Sequence, residues 1–596
     1  MKKFNSLLLA VIGLLCSMSV SAHDFEVDDI YYNITSSTDM TVEVTSWNGG
    51  SNSYKGEVTI PETVTYGRKT YSVTRIGDEA FRSCRSLTSV TISNGVTSIG
   101  AYAFDYCSSL TSVVIPNSVT TIENSAFWHC ITLKAVEIPN SVTNIGDDAF
   151  YNCKSLTSLT IGDGVTSIGK RAFVDCQSLT SLTIGNSVTR IGDGAFRYCE
   201  SLTSVEIPNS VTKIGAEAFY SCKAMTSLTI GNSVDSIGES AFARCSNLTS
   251  VEIPNSVTSL WRYVFSYCTN LTTVKIGNGV TVISAALFSG CKNLTSVEIP
   301  NSVTSIGESA FANCSNLTSV EIPNSVTKIW ASAFCGCTGL TSIVIPNSVT
   351  SIGSNAFKNC TNLTSVEIPN SVTSIGSYPF YLCESLSHIV VAEDNPIFDS
   401  REGCNAIIEK SSNSLVVGCK STIIPNSVTS IEYGAFIGCR GLTSIKIPNS
   451  VTTIWAMAFY GCIGLTSVEI PNSVTSIGYS AFESCSGLTR LSCYAEEPPT
   501  CGGNVFYGIN KENCVLQVPQ SCLAAYQQAD QWKDFLFIED VLTAIGGVTV
   551  DGVVSATADV YSTNGMLIMR NAELNNLKHE LPAGIYIIGG KKVWVK

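Results

Sequence analysis

Residues 293–314 read NLTSVEIPNSVTSIGESAFANC, and nearly the same phrase recurs along most of the chain. The cysteine that closes it sets the interval: Cys84, Cys107, Cys130 and each successor up to Cys383 stand 23 residues apart, and Cys439, Cys462 and Cys485 resume the step after one longer gap. Seventeen cysteines therefore mark seventeen copies of one unit.

A period in the twenties with leucine at a fixed place is the sequence mark of a leucine-rich solenoid, which grows by adding rungs around no single centre. In the quoted copy Leu294, Val297 and Ile299 follow the L-x-x-V-x-I pattern of a short strand with its apolar side chains turned inward. Pro300-Asn301 stops that strand, and other copies carry Gly-Asn, Gly-Asp or Ser-Asn there, all compatible with a turn. Val303 and Ile306 form a second apolar pair, and Gly307 lets the chain bend. The segment 308–314 is long enough for about one helical or 3₁₀ turn, with Ala310, Phe311 and Cys314 pointing inward. The expected fold class is thus a leucine-rich repeat solenoid of short parallel strands, turns and short helical or 3₁₀ segments, followed by a small C-terminal all-β domain. One rung buries too little apolar surface to offset the ordering of its backbone, so stacking at about 4.8 Å per rung supplies the stability and predicts a rod of roughly 80 Å.

The phenylalanine three residues before every repeat cysteine never varies, which predicts a buried spine from Phe81 to Phe482. The chain has 25 cysteines, enough to invite a disulfide framework in a secreted protein. Side chains in one stacked column point the same way, however, and seventeen is odd, so the repeat cysteines are read as buried thiols acting as small hydrophobes. Whether Cys404 and Cys419 pair is left open by the sequence. Cys493, Cys501, Cys514 and Cys522 are even in number and irregular in spacing, so disulfides are expected there rather than in the repeats.

The organisation follows from these breaks. Residues 1–22 combine Lys2-Lys3, the apolar run LLLAVIGLL and the small-residue site Val20-Ser21-Ala22, a secretory signal peptide. The run is too short for a membrane helix, and Cys16 follows Leu15 where a lipidation signal wants a small residue. Residues 23–75 form an N-terminal β cap, 76–490 the solenoid with an insert at about 388–419, 491–541 a C-terminal cap, and 542–596 a small β domain in which Gly589-Gly590 sets a hairpin turn. Charged residues make up only 14 % of the chain against a usual quarter or so, so the surface is built from hydroxyls and amides. The net charge of −13 becomes about −15 once the two leader lysines are removed, and an acidic surface argues against nucleic acid as a partner.

The repeat LTSVEIPNSVTSIGESAFANC resembles the BspA-like leucine-rich repeat family over roughly residues 60–540, and so do the insert DNPIFDSREGCNAII and the PPT…VP…AY…W…F tail. That resemblance implies a secreted or surface-displayed bacterial protein linked to adhesion, with host extracellular matrix or surface proteins, or other bacterial cells, as partners. It transfers no catalytic residue. Through VYSTNG, LPAGIYII and KKVWVK the C-terminus resembles a type IX secretion sorting domain, which implies handling by the secretion machinery; a related β-sandwich without a sorting role is the alternative.

Signals for chemistry are sparse. His23, His129, His388 and His579 are scattered, none in HExxH or beside a cysteine pair at zinc spacing, and His129 is read as a surface side chain. Gly164 to Lys170 has phosphate-loop spacing, but Arg171 stands where the hydroxyl ligand of magnesium belongs, and both glycines are repeat positions. Glu137, Glu206, Glu252, Glu298, Glu321, Glu367 and Glu469 share one column; Glu298 and Glu321 on consecutive rungs raise calcium, but Lys275, Val344 and Lys446 interrupt the column and favour a solvated face. No metal or cofactor is expected. Trp261, Trp330 and Trp455 each fall seven residues before their repeat cysteine, where most copies have glycine. Exposed aromatics on a rigid scaffold anchor protein interfaces and stack on sugars; the competing reading is that each covers a neighbouring small-residue gap. The uninterrupted spacing argues against an active site, which usually lies on loops that leave the scaffold. The expectation is a non-enzymatic binding protein, with a passive surface spacer as the alternative.

Overall fold

The computed structural model describes residues 23–47, 53–540, 557–562, 566–573, 581–582, 584–588 and 591–595. The leader, His579 and the Gly589-Gly590 pair lie outside the described residues.

Most rungs contribute two short strands, which stack in parallel on their equivalents one period away in runs of successive rungs. In the first column Val251, Val274 and Val297 are register partners on successive rungs. In the second, Ile306 sits opposite Ile329 and Ile329 opposite Ile352. Because strand side chains alternate, Val297 and Ile299 are buried while Ser296 and Glu298 face solvent. The threonine before each second strand reinforces the stack. Thr304 donates both its N–H and its hydroxyl to the Thr281 carbonyl, at 2.8 and 3.1 Å.

The segment read as a helical turn is organised differently. Ser309 and Asn313 have left-handed backbone conformations, with φ of 55° and 60°, and equivalent residues repeat this in rung after rung. Alternation with right-handed residues aims the N–H groups along the rod axis: Ser309, Phe311 and Asn313 donate to carbonyls of Ala331, Ala333 and Cys335 on the next rung, at 3.0, 2.8 and 2.6 Å. A helix would close its hydrogen bonds within the rung; here the turn becomes a third inter-rung ladder. Among the described residues the helical elements are Arg401–Gly403, Gln520–Cys522 and Leu523–Tyr526, all outside the repeats. None is long and apolar enough to cross a membrane.

The phenylalanines form a continuous stack from Phe81 to Phe380, with adjacent centroids 4.8 to 5.9 Å apart. Tyr54 closes its front at 4.4 Å. A second stack runs from Phe436 through Phe459 and Phe482 to Phe506, where Trp532 and Phe535 meet it edge-on at 4.9 and 5.2 Å. Trp532 is fully buried and its indole N–H donates to the Pro499 carbonyl at 2.9 Å.

The repeat cysteines do more than fill space. Cys314 Sγ donates to the Phe288 carbonyl of the preceding rung at 3.2 Å, and the same bond recurs from Cys107 to Cys383 and again at Cys462 and Cys485. That carbonyl already accepts a turn N–H from its own rung's cysteine, so the thiol supplies a second partner and ties neighbouring turns together. Disulfides expected in the C-terminal segment are not formed. Cys493, Cys501, Cys514 and Cys522 are free thiols, as are Cys404 and Cys419. Cys493 instead accepts the Tyr526 hydroxyl at 3.2 Å, and Cys419 donates to the Asn405 carbonyl at 3.3 Å.

One excursion divides the core. His388–Val391 still continues the first column by pairing with Ser365–Ile368, and the chain departs after it. Buried Asn395 pins the departure, donating to the Pro369 and Val372 carbonyls and accepting from the N–H groups of Ile397 and Phe398. Phe398–Asp399, Ala406–Glu409 and Ser414–Gly418 then pair antiparallel, and the last pairs in parallel with Ser430–Ile431 of the next rung. The hairpin is wedged into the second column, so one buried cluster ends at Cys419 and a second begins at Cys404. At the C-terminus Leu567–Glu573, Thr557–Ser562, Gly584–Ile588 and Lys591–Val595 form a separate four-stranded antiparallel sheet.

Candidate ligand-binding surface

The three tryptophans occupy a position where the scaffold leaves almost no room. A Cβ at Gly353 would lie 2.4 Å from backbone atoms of Trp330 and Ala331, and one at Gly478 2.3 Å from the Ala456 nitrogen. Bulk at this place is therefore not a packing requirement, and an indole there must point outward. Trp261, Trp330 and Trp455 are 55 %, 51 % and 50 % exposed. Their backbones stay in the ladder, with N–H groups donating to Ile237, Ile306 and Ile431 at 3.1, 2.9 and 2.9 Å.

The solenoid does not gather the three into one patch. They sit on the ninth, twelfth and sixteenth copies, and three rungs correspond to about 14 Å at the strand spacing. Each has its own surroundings. On its own rung Trp261 is accompanied by exposed Tyr263 and Tyr267. Arg244 lies over the Tyr267 ring at 5.3 Å, and Arg262 pairs with Glu239 at 3.0 Å. Just beyond this rung the second column is interrupted, between Ser259–Leu260 and Val282–Ile283. There Ser284 replaces the glycine and its hydroxyl donates to the Leu260 carbonyl. Trp330 has the Lys328 ammonium 5.7 Å from its ring, and among the described residues no exposed aromatic ring on the adjacent rungs. Trp455 is flanked on both sides, by Tyr433 one rung before and Tyr479 one rung after, each about as exposed as the indole itself. Tyr433 donates to Met457 Sδ at 3.5 Å, and Asn504 donates to the Tyr479 hydroxyl at 3.3 Å, which orders both rings.

The tyrosines were the part missed from sequence. They fall one, five or six residues before the repeat cysteine, places that vary freely between copies, and only the stack shows that residues 433, 455 and 479 are neighbours.

The remaining sequence candidates resolve individually. Glu252, Lys275 and Glu298 are register partners, and Lys275 bonds Glu252 at 2.7 Å. Among the described residues no cluster of three histidine, cysteine, aspartate or glutamate side chains has metal-holding geometry. Gly164 to Lys170 spans a turn and the two-residue strand Ser167–Ile168 rather than a phosphate cradle: a Cβ at Gly164 would lie 1.8 Å from the Asn140 carbonyl oxygen, and exposed Lys170 pairs with Asp193 at 3.4 Å. His129 is not a free surface side chain. It packs against Trp128, Tyr106 and Tyr151 at 4.1, 4.6 and 5.8 Å, and burial, with Lys154 second, lowers its pKa. His388 Nδ1 bonds the Ser387 hydroxyl at 2.8 Å, eleven rungs from His129.

The family model described as BspA type Leucine rich repeat region (6 copies) matches residues 57–180, 166–295, 281–402 and 407–526. Among solved structures, a leucine-rich repeat protein from Bacteroides ovatus ATCC 8483 is 28 % identical with a TM-score of 0.50, covering 76 % of this chain and 95 % of that one. A leucine rich cell surface protein from Faecalibacterium prausnitzii A2-165 is 28 % identical with a TM-score of 0.32, covering 79 % and 94 %. A leucine-rich repeat protein from Eubacterium ventriosum ATCC 27560 is 25 % identical with a TM-score of 0.36, covering 56 % and 93 %. No curated protein matches the chain.

Proposed function

The chain belongs to the BspA type leucine-rich repeat family, and from that premise we propose that it is a non-enzymatic binding protein displayed outside a bacterial cell, an adhesin for host matrix or surface proteins, their glycans, or other bacteria. The observation that carries this reading is the aromatic clustering on a rigid scaffold: Tyr433, Trp455 and Tyr479 half-exposed on three consecutive rungs, and Trp261, Tyr263 and Tyr267 on one. Interface hot spots are enriched in Trp, Tyr and Arg and are strongest when already held in place. Within each uninterrupted run, neighbouring rungs are tied by backbone hydrogen bonds through the strands and turn and by the phenylalanine stack, so presenting these side chains costs little further ordering. The signal-peptide pattern of residues 1–22 and the sorting-like C-terminal segments support delivery to the surface by the secretion machinery.

The test is binding of residues 23–541 to a panel of immobilised matrix proteins and glycans, beside a variant with Trp261, Trp330 and Trp455 changed to serine. Binding lost in the variant supports the adhesin and its face. Binding that survives moves the ligand to the strand columns, and no binding to any member favours a passive spacer.

A further inference from the structure

The hairpin that divides the core leaves a cavity of about 340 Å³ between the last rung before it and the first rung after it, within the size range of small-ligand sites. None of the three tryptophans lines it, although Tyr433, the first ring of the Trp455 cluster, does, so the cavity borders the aromatic surface without containing an indole. Its apolar wall includes Phe380, Leu386 and Val417. Its polar lining is acidic: Glu409 from the hairpin and Glu432 from the following rung contribute carboxylates, and no Lys, Arg or His is among the lining residues. Among the described residues neither carboxylate has an ion-pair partner. Each accepts one serine hydroxyl, Ser412 on Glu409 Oε2 at 2.6 Å and Ser430 on Glu432 Oε1 at 2.8 Å, which fixes the side chain and leaves the other oxygen open. Of the nearby basic residues, Arg401 is engaged on Asp399 at 2.7 Å and Lys410 on the Asn395 carbonyl at 2.6 Å, while Lys420 lies within electrostatic reach of the Cys419 and Cys439 thiols. Tyr378 also lines the cavity. Its hydroxyl is buried beside Tyr433, and burial first, with the interaction with the Tyr433 hydroxyl second, raises its pKa so that the phenol stays neutral.

We propose that this cavity binds an alkylammonium group, with the ammonium between Glu409, Glu432 and the Tyr378 hydroxyl and the alkyl stem against Phe380, Leu386 and Val417. An ammonium brings three donors and no acceptor, which matches a lining of two carboxylates and a phenol oxygen. The Tyr433 ring beside Tyr378, 5.4 Å between centroids, offers a π face to the same charge. A buried charge is tolerated only when paired and hydrogen-bonded, and these groups supply both conditions. The chemistry has two sources, a free amine or a lysine side chain on a partner protein.

Titration calorimetry of the full chain separates them, using 1,5-diaminopentane and a blocked Gly-Lys-Gly peptide, with the ε-acetylated peptide as the neutral control. The expected result is saturable binding of diaminopentane, at least tenfold weaker in a Glu409→Gln/Glu432→Gln variant and in Tyr378→Phe, and unchanged in Glu321→Gln, which is remote from the cavity. The lysine peptide binding alongside the diamine assigns the site to a protein lysine; the diamine binding alone assigns it to a free amine. The proposal is overturned if neither probe saturates, if the acetylated peptide binds as well as the charged one, or if the glutamine variant binds like wild type. Should melting show the glutamine variant unfolded, Tyr378→Phe alone decides, and undiminished binding by it overturns the proposal.

Discussion

Removing one ring from the spine should open the rod locally rather than unfold it as a whole. Phe311 is fully buried and stacked between Phe288 and Phe334, at 5.6 and 5.4 Å. Phe311→Ala removes a large buried side chain and two ring contacts, and rigid backbone ladders on both sides limit collapse into the gap, so the expected loss is about 3–5 kcal/mol. In a solenoid each rung contacts only its neighbours, so this loss belongs to the rungs carrying residues 288, 311 and 334 and fades beyond them. Native-state hydrogen exchange reads the effect directly. The turn amides of Phe288, Phe311 and Asn313 should exchange roughly 150- to 4,000-fold faster, while those near Phe127 and Phe150 keep wild-type protection. Uniform acceleration along the chain would refute nearest-neighbour stability, and no acceleration at Phe311 would refute the spine.

Further outcomes are expected at single positions. Burial pushes the Cys314 thiol up to about 12, so it should resist iodoacetamide at pH 8 in the folded chain and react on denaturation; rapid labelling under native conditions would contradict the thiol–carbonyl ladder. Burial raises the Asp105 pKa from 3.8 to about 6, with Arg82 opposing it. The native state therefore holds this proton more tightly than the unfolded chain does. The stability it confers is full below about pH 4 and is lost as pH rises through about 6. Asp105→Asn should then stabilise by up to about 3 kcal/mol at pH 7.5 and by little at pH 4, and equal melting shifts at the two pH values would sink the argument. Gly353→Ala should cost about 1–3 kcal/mol, because its Cβ meets backbone on the preceding rung; a neutral result would mean that the rungs are less tightly spaced.

Much of the architecture is written in the repeat itself. The fixed interval, the inward apolar positions and the unvarying phenylalanine specify stacked rungs, because only stacking buries those side chains. The turn was harder to see. Ser309-Ala310-Phe311-Ala312-Asn313 has a composition a helix could accept, and its two left-handed positions are filled mostly by serine, asparagine and larger residues, with glycine only in some copies. The thiol–carbonyl bond was invisible because it joins residues 26 positions apart on different rungs. The tryptophans stood out as departures from glycine, yet their neighbours Tyr433 and Tyr479 come from other copies and are recognised only once register is known. The cavity arises where the repeat is broken, so no periodic pattern announces it.

The most direct test of the central claim compares single substitutions by surface plasmon resonance against whichever panel member binds. Trp455→Ser removes the centre of a three-rung aromatic cluster, and Trp330→Ser removes an isolated indole at the same repeat position. If clustered aromatics grip the partner, Trp455→Ser should weaken binding by about 30-fold or more, the loss typical of an interface hot spot, while Trp330→Ser changes it by less than about threefold. Equal effects of the two, or none from either, would contradict the account.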